Sequence, residues 1–377
     1  MPAIRFFDMF AGIGGFRTGL TRAGGFECIG HCEIDPHADK AYRAIHNISQ
    51  KEVFYRDAKQ INGNELPDFD LICAGFPCQS FSIAGKRRGF TDNRGTLFFD
   101  IARILAAKHP PFLFLENVPG LLNHDSGRTF NIILNALFEL GYYVEWQVLN
   151  SKDFGVPQSR KRVYIIGYLD PRCAGKILPI GETNGQALIQ VVKGSQSNRV
   201  YDSRGLARTQ TAGRNPSGLY LVDIAAGSPK TTETARCLTS HCGNSDVPNR
   251  SGERSGVLLI KEATKKGFKE AAPGDSVDLS YASSNTHRGR VGHNIAHTLK
   301  AGDVQGIIER GGRIRRLMPR ECLRLQGFDD EQIDKLLAVT SDSQAYRQAG
   351  NAVTANVIEA IGRRIRLAVD TGKERFV

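Results

Sequence analysis

The sequence lacks two features that would place the protein in a membrane or beyond one. None of its apolar runs is long enough to span a bilayer. The first residues, Met1–Arg5, do not have the pattern of a secretory signal. The cysteines stand at irregular spacings, several of them inside apolar runs, which indicates reduced thiols and not a disulfide framework. We therefore expect a cytoplasmic protein.

Several ligand-binding signatures are also absent. The chain has no Walker sequence, which disfavours a nucleoside triphosphate, and its first glycine-rich turn lacks the third glycine of the dinucleotide fingerprint. Cysteine and histidine gather at 28–37 and at 237–242, but neither group has the two separated ligand pairs of a zinc finger. We predict no metal site.

What the chain has in excess is positive charge, with a formal net charge of +11. A surplus of this size suits a polyanionic partner, because each phosphate that is neutralised releases condensed counterions. The basic residues are spread along the chain, in the clusters Lys86–Arg88, Arg160–Arg162, Arg313–Arg316 and Arg363–Arg366. This distribution favours a basic cleft over a basic tail.

Apolar strands alternate with amphipathic helices through the first part of the chain, which predicts an α/β fold with a doubly wound, mostly parallel sheet. Two strands, at 143–149 and 163–169, have no helix between them and predict an antiparallel hairpin at one edge. Gly, Ser, Thr and Asn then dominate from about 171 to 312, which indicates a smaller, irregular β-rich domain. A last helix, about 356–369, has an apolar stripe suited to packing onto the first domain.

A cysteine follows a proline at the end of an apolar strand, in the tripeptide Phe76-Pro77-Cys78. A strand that ends in such a restricted turn holds a thiol out at the edge of a sheet. A thiol presented in this way can act as a nucleophile once it is a thiolate.

A glycine-rich turn, Phe10–Gly15, joins the first strand to the first helix, where a backbone can approach a ligand closely. Glu33 ends the second strand, where a carboxylate can accept hydrogen bonds from ribose hydroxyls, and Asp57 follows the third. The two carboxylates could instead cap the helices that follow them. With the glycines, Glu33 favours a nucleoside cofactor.

Glu116 ends a strand that should lie parallel to the strand before Cys78, so both side chains are expected at one crevice. A carboxyl group beside apolar strand residues can be kept protonated. Arg160 and Arg162 alternate onto one face, where they could hold a phosphate or a base carbonyl. A structural cap and a solvated basic edge are the competing interpretations of these residues.

Taken in order, these segments resemble the cytosine-5 DNA methyltransferases of bacterial and phage restriction–modification systems. The likeness leaves the middle of the chain unmatched in detail. It rests on Phe10–Gly15, Glu33 with Asp57, Gly75–Ser82, Glu116–Val118, Gln158–Arg162, Arg316–Cys322 and Gln348–Val353.

The resemblance implies a Rossmann-like fold and an S-adenosylmethionine-dependent enzyme that methylates C5 of a cytosine flipped out of duplex DNA. The implied catalytic residues are Cys78, Glu116, Arg160 and Arg162. The implied cofactor-binding residues are Phe10, Ala11, Gly12, Ile13, Gly14, Gly15, Glu33, Asp57, Pro77, Asn351, Ala352 and Val353. The implied DNA-binding residues are Gln79, Ser82, Lys86, Arg87, Arg88, Thr298 and Leu299.

The resemblance also divides the chain into three parts. Residues 1–171 would be the catalytic and cofactor-binding domain, 172–318 the target-recognition domain, and 319–377 the segment that completes the first. We expect a monomer that acts on DNA at the bacterial nucleoid. A cognate restriction endonuclease would share its DNA site without contacting it.

Other interpretations stay open at this point. A cytosine-5 tRNA methyltransferase would share the catalytic core, and an inactive DNA-binding relative would be expected to have lost Cys78 or Glu116, which are both present. A weak repeat at 207–211, 235–239 and 296–300 suggests the hypothesis that the middle region reads more than one DNA target.

Overall fold

The computed structural model describes residues 2–76, 97–180, 258–280, 288–301, 305–309 and 314–373, together with the backbone of two short strands at 220–223 and 230–231. Its centre is a seven-stranded sheet. The strands are β1 Ile4–Met9, β2 Phe26–Cys32, β3 Val53–Tyr55, β4 Leu71–Gly75, β5 Phe112–Asn117, β6 Tyr143–Asn150 and β7 Lys161–Tyr168.

The strand order is β3-β2-β1-β4-β5-β7-β6, and the first five strands in this order run parallel. Strand β7 is antiparallel to both β5 and β6. The predicted doubly wound sheet and its antiparallel edge are therefore confirmed. All six residues of β5 are buried, as expected for a strand covered on both faces.

Helices cover both faces of this sheet. The helices of the described residues are α1 Gly15–Ala23, α2 Pro36–Ile45, α3 Leu97–Lys108, α4 Arg128–Glu139, α5 Pro319–Leu325, α6 Asp330–Leu337, α7 Asp342–Asn351 and α8 Ala355–Lys373, of which α5, α6 and α7 pack in a separate cluster. Short 3-10 helices lie at Ala58–Gln60, Gly63–Glu65, Pro119–Gly127, Ser151–Phe154 and Pro171–Cys173. In the described part of the chain, no helix is both long and apolar enough to cross a membrane.

The two apolar faces form separate clusters. One joins α3 and α4 to the side of the sheet that carries Phe7 and Leu113, and the other joins α1 and α8 to the side that carries Phe6 and Phe114. The expected return of the last helix is confirmed, because the apolar stripe of α8 is buried in the second cluster through Val357, Ile358, Ile361, Ile365 and Ala368.

The middle of the chain contributes short antiparallel strands. They are β8 Tyr220–Asp223, β9 Lys230–Thr231, β10 Leu258–Lys261, β11 Phe268–Ala271, β12 Ser276–Asp278, β13 Val291–Gly292, β14 Gln305–Ile308 and β15 Ile314–Arg316. They form two four-stranded sheets, in the orders β11-β10-β8-β9 and β13-β12-β14-β15. The expected β-rich second region is confirmed, while the boundaries at 171 and 318 stay a prediction.

Candidate active site at the carboxyl edge of the sheet

The register of the parallel strands brings the predicted site residues to one edge. Met9 at the end of β1 pairs with Cys32 on β2 and with Ala74 on β4, and Gly75 pairs with Glu116 on β5. The glycine turn therefore follows β1, Glu33 follows β2, and Glu116 lies near the end of β5, all at the same edge of the sheet. In open α/β sheets this edge is where ligands bind.

The turn from β1 into α1 needs its glycines for conformation and for space. Gly12 and Gly14 have φ of 56° and 83°, in the left-handed region, and Phe10 shares this conformation at 54°. A Cβ on Gly14 would overlap the His46 ring, and one on Gly15 would overlap the Val353 carbonyl. Val353 thus lies directly against the predicted cofactor turn.

The carboxylate of Glu33 is bound to this turn. Its Oε2 accepts a hydrogen bond from the Gly12 amide at 2.7 Å, and its Oε1 accepts one from the Asp35 amide at 2.8 Å. Burial raises the pKa of Glu33, and the amide bonds oppose that rise. The N-cap of α2 is Asp35, so Glu33 does not take the capping role that competed with the ligand-binding interpretation.

Asp57 does cap a helix. Its Oδ1 accepts a hydrogen bond from the Lys59 amide at 3.0 Å, at the start of the 3-10 helix Ala58–Gln60. The capping interpretation is confirmed for this residue, and a ligand contact remains a prediction.

One residue near this turn was missed from the sequence. Ile34 directly follows Glu33 and is 66% exposed, although it is a large apolar side chain. Because Ile34 adjoins the Glu33 carboxylate at the edge of the sheet where ligands bind, its side chain is placed to contact an apolar face of a ligand there. The signal in the sequence was an apolar residue immediately after the acid that ends a strand.

Glu116 and Arg162 form a buried ion pair. Arg162 Nε lies 2.9 Å from Glu116 Oε1, and the two side chains are 12% and 10% exposed. Burial raises the pKa of Glu116, with Arg162 acting in the opposite direction. We give burial the greater weight, so the carboxyl group holds its proton to higher pH than an ordinary glutamate.

Asn117 joins this acid to the start of the predicted nucleophile loop. Its Nδ2 donates a hydrogen bond to the carbonyl of Phe76 at 2.8 Å, and both residues are buried. Phe76 directly precedes Pro77-Cys78. The sequence placed Asn117 in a motif but gave its side chain no role, because this contact spans 41 residues.

Arg160 differs from Arg162. Its Nη1 donates to the carbonyl of Leu299 at 2.8 Å, and its Nη2 donates to the carbonyls of Gly350 at 3.1 Å and Ala352 at 2.8 Å. Burial lowers the pKa of Arg160 to about 10, so the group is still charged at neutral pH. With these carbonyls as its partners, Arg160 is better described as a positioning residue than as one that touches substrate.

The predicted Thr-Leu pair is built into the same framework. Thr298 donates its hydroxyl proton to the carbonyl of Ser159 at 2.7 Å. The side chain of Leu299 is buried in a cluster with residues of α5 and α7. The side chain of Leu299 is therefore covered by protein in this structure, and its DNA-binding role stays a prediction.

Local ion pairs offset part of the positive charge that the sequence predicts for a basic cleft. Arg315 pairs with Glu321 at 2.8 Å, and on α8 Arg366 pairs with Asp370 at 3.1 Å. Arg316 stacks on the ring of Tyr346. The two carboxylates offset the charges of Arg315 and Arg366, which leaves less positive charge in these clusters for a polyanion.

Several predicted residues lie outside the described part of the chain. They are Pro77, Cys78, Gln79, Ser82, Lys86, Arg87 and Arg88, and the repeat segments 207–211 and 235–239. Among the residues that the structure describes, no cluster of three or more metal-ligating side chains is found. Asn351 and Ala352 lie at the end of α7, beside Val353.

Two features define a Rossmann-like methyltransferase. One is the sheet order, in which an antiparallel strand is inserted near one edge, and the other is the glycine turn whose Gly12 amide donates to the Glu33 carboxylate. The sequence model for C-5 cytosine-specific DNA methylases matches residues 4–367. The chain belongs to this family and is a DNA cytosine-5-methyltransferase.

Named relatives agree with this assignment. The chain is 49% identical to the type II methyltransferase M.NlaIV of Neisseria lactamica, over 97% of this chain and 99% of that one. It is 37% identical to the type II methyltransferase M.HpaII of Haemophilus parainfluenzae, over 96% of this chain and 88% of the relative. The predicted family is confirmed.

A solved structure shares the fold. The S. pombe Dnmt2 methyltransferase superposes with a TM-score of 0.53 at 17% identity, and the match covers 98% of this chain and 99% of that one. At this identity the likeness supports the fold alone.

Proposed function

We propose that this enzyme transfers a methyl group from S-adenosylmethionine to C5 of a cytosine flipped out of a specific duplex DNA sequence. We further propose that it is the protective modification enzyme of a restriction–modification system. The observation that carries the chemistry is the buried Glu116–Arg162 pair, at the strand end next to the backbone that leads into Pro77-Cys78.

The residues at the glycine turn fit the cofactor. S-adenosylmethionine, when bound, supplies the methyl group as a sulfonium that an electron-rich carbon can attack. The backbone at Gly12 leaves room for a ligand to approach, because nothing lies within 4 Å of where its Cβ would stand. Glu33 offers a carboxylate for hydroxyl groups, and Ile34 offers an apolar surface. Asn351, Ala352 and Val353 would close the same site, since Val353 lies against Gly15 and Gly75.

The chemistry assigned to the chain begins with the thiolate of Cys78, which adds to C6 of cytosine and makes C5 enamine-like. Glu116, protonated, donates a hydrogen bond to N3 and stabilises the charge that develops in the ring. Arg162 holds Glu116 in place or contacts the base carbonyl. After methyl transfer to C5, water or a basic side chain takes up the C5 proton, the bond between C6 and Sγ breaks, and departure of the Cys78 thiolate restores the aromatic ring.

Base flipping follows from where the target atom lies. The Cys78 thiol cannot reach C6 inside a stacked duplex, so the base must leave the helix at a cost of a few kcal/mol. Lys86, Arg87 and Arg88 would contact phosphates, and the region at 172–318 would read the sequence. The protein would act as a monomer on DNA in the cytoplasm, at the nucleoid.

A tRNA substrate is the second candidate. It is less supported, since the relatives at 49% and 37% identity are named type II methyltransferases and the Dnmt2 likeness is one of fold alone. The purified enzyme is offered duplex DNA and tRNA separately, with labelled S-adenosylmethionine. We expect label in DNA; label in tRNA alone would overturn the DNA proposal.

The modification role has its own test. Bisulfite sequencing of DNA from cells that express the protein should show methylation at nearly every occurrence of each target sequence, as protection against a nuclease requires. Sparse methylation without a common sequence would contradict this role.

A further inference from the structure

The segment from residue 296 to residue 301, called here the recognition-edge segment, is held by residues 157–160. A parallel bridge pairs Gln158 with Ala296. The Gln158 side chain accepts a hydrogen bond from the Leu299 amide at 3.1 Å and donates one to the Leu325 carbonyl at 2.9 Å. This segment contains Thr298, which is predicted to approach DNA.

The same segment also packs against the end of α7. A Cβ on Gly350 would lie 2.5 Å from the Ala301 amide nitrogen, so only a glycine allows these backbones to approach so closely. The two backbones therefore have little room to move independently.

The end of α7 continues directly into the cofactor site. Val353 packs its carbonyl against Gly15 of the glycine turn, and its side chain lies against Gly75 at the end of β4. Three backbone segments therefore meet: the recognition-edge segment, the turn at 350–353, and the glycine turn.

Arg160 bonds to the first two of these segments at once. One arm of its guanidinium, Nη1, donates to Leu299, and the other, Nη2, donates to Gly350 and Ala352. An arginine suits this position because its planar fork presents several donors in fixed directions, which an ammonium group cannot do. The side chain is 3% exposed, so these bonds are shielded from water.

We propose that Arg160 is a positioning residue that joins the recognition-edge segment to the turn at 350–353, so that occupancy of either the DNA site or the cofactor site raises the affinity of the other. The inference rests on the proposed function, which supplies the two ligands. It differs from a catalytic role for Arg160, since it requires no contact with the cytosine.

Such a coupling is a measurable free energy and is reciprocal between the sites. The dissociation constant for a duplex containing the target sequence is measured with and without saturating S-adenosylhomocysteine, which binds without reacting. The ratio of the two constants is the coupling factor, and couplings of this kind are typically about 5- to 150-fold. The dissociation constant for S-adenosylhomocysteine, measured with and without saturating DNA, must give the same coupling factor.

The decisive variant is Arg160→Lys, which keeps the charge but loses the fork. We expect its coupling factor to fall below about twofold. Arg22→Lys is the matched control: Arg22 on α1 also joins distant segments, through the Gly327 carbonyl at 2.5 Å, but touches neither segment that Arg160 joins. Its coupling factor should equal that of the unaltered enzyme. A loss of folded protein alone lowers binding with and without the second ligand equally, and leaves the ratio unchanged.

The outcomes separate this inference from the proposed function. A wild-type coupling factor in Arg160→Lys, or no coupling in an enzyme that binds both ligands, would overturn the inference only. An enzyme that binds neither DNA nor S-adenosylhomocysteine would overturn both. If Arg160→Lys does not fold, Gln158→Met, which releases the Leu299 amide, is judged by the same ratio.

Discussion

At the scale of single residues, Glu116 is the side chain whose environment bears most directly on the reaction. Its carboxyl group is buried, and it keeps an ion pair with Arg162. Two opposing effects meet there: burial favours the protonated form, and the guanidinium favours the carboxylate. The raised pKa of Glu116 means that the proton-donating form extends to higher pH than in an ordinary glutamate.

A pH profile tests this assignment. As pH rises through the raised pKa of Glu116, the protonated fraction falls, so the single-turnover rate of methyl transfer should show a falling limb. Glu116→Ala has no donor at this position and should be slower by about 10²- to 10⁴-fold, without that limb. A near-normal rate in Glu116→Ala, or the same falling limb, would remove Glu116 from the proposed role.

A second prediction concerns Gly14, where both the backbone conformation and the space around the residue require a glycine. Gly14→Ala places a left-handed alanine whose Cβ overlaps His46, so we expect loss of S-adenosylhomocysteine binding in calorimetry and a large loss of stability. Gly155→Ala is the control, because Gly155 has a φ of 82° but its nearest Cβ neighbour lies 3.7 Å away. It should lose about 1–2 kcal/mol and bind normally. Equal effects of the two changes would contradict the spatial argument.

At the scale of secondary-structure elements, the link between β5 and the chain leaving β4 places the acid relative to the nucleophile loop. Asn117→Ala removes the donor to the Phe76 carbonyl and leaves a buried acceptor without its partner. We expect kcat to fall by about 10²-fold, the cost of roughly 1 Å of misplacement, with unchanged affinity for S-adenosylhomocysteine. Single-turnover kinetics and calorimetry separate the two effects. Asn62→Ala, at an exposed cap, should change neither.

The helices and strands, and their order in the sheet, were the features that the sequence predicted best. Continuous apolar runs identify β4 and β5, and the parallel pairing of β2, β1, β4 and β5 brings Glu33 and Glu116 to one edge. Arg160 and Leu299 show the limit. Arg160 lies one residue before β7 begins, so strand alternation does not apply to it, and its partner Leu299 is 139 residues away. Packing between such distant segments has no local signature in the chain.

At the scale of the whole molecule, the net charge of +11 predicts electrostatic association with DNA. Because counterions are released on binding, the affinity for duplex DNA should fall by at least about tenfold between 50 and 200 mM salt. Fluorescence anisotropy at several salt concentrations gives the slope. Binding of S-adenosylhomocysteine, which needs no phosphate contact, should change little, and a flat slope for DNA would contradict the basic-surface argument.

The central claim is that a thiol of this chain activates cytosine C5 in duplex DNA. The direct measurement is mass spectrometry of nucleosides from duplex DNA incubated with S-adenosylmethionine and either the unaltered enzyme or Cys78→Ala. We predict 5-methylcytosine with the unaltered enzyme and none with Cys78→Ala, while the variant still binds DNA and S-adenosylhomocysteine. Comparable 5-methylcytosine from Cys78→Ala, or none from the unaltered enzyme, would contradict the account.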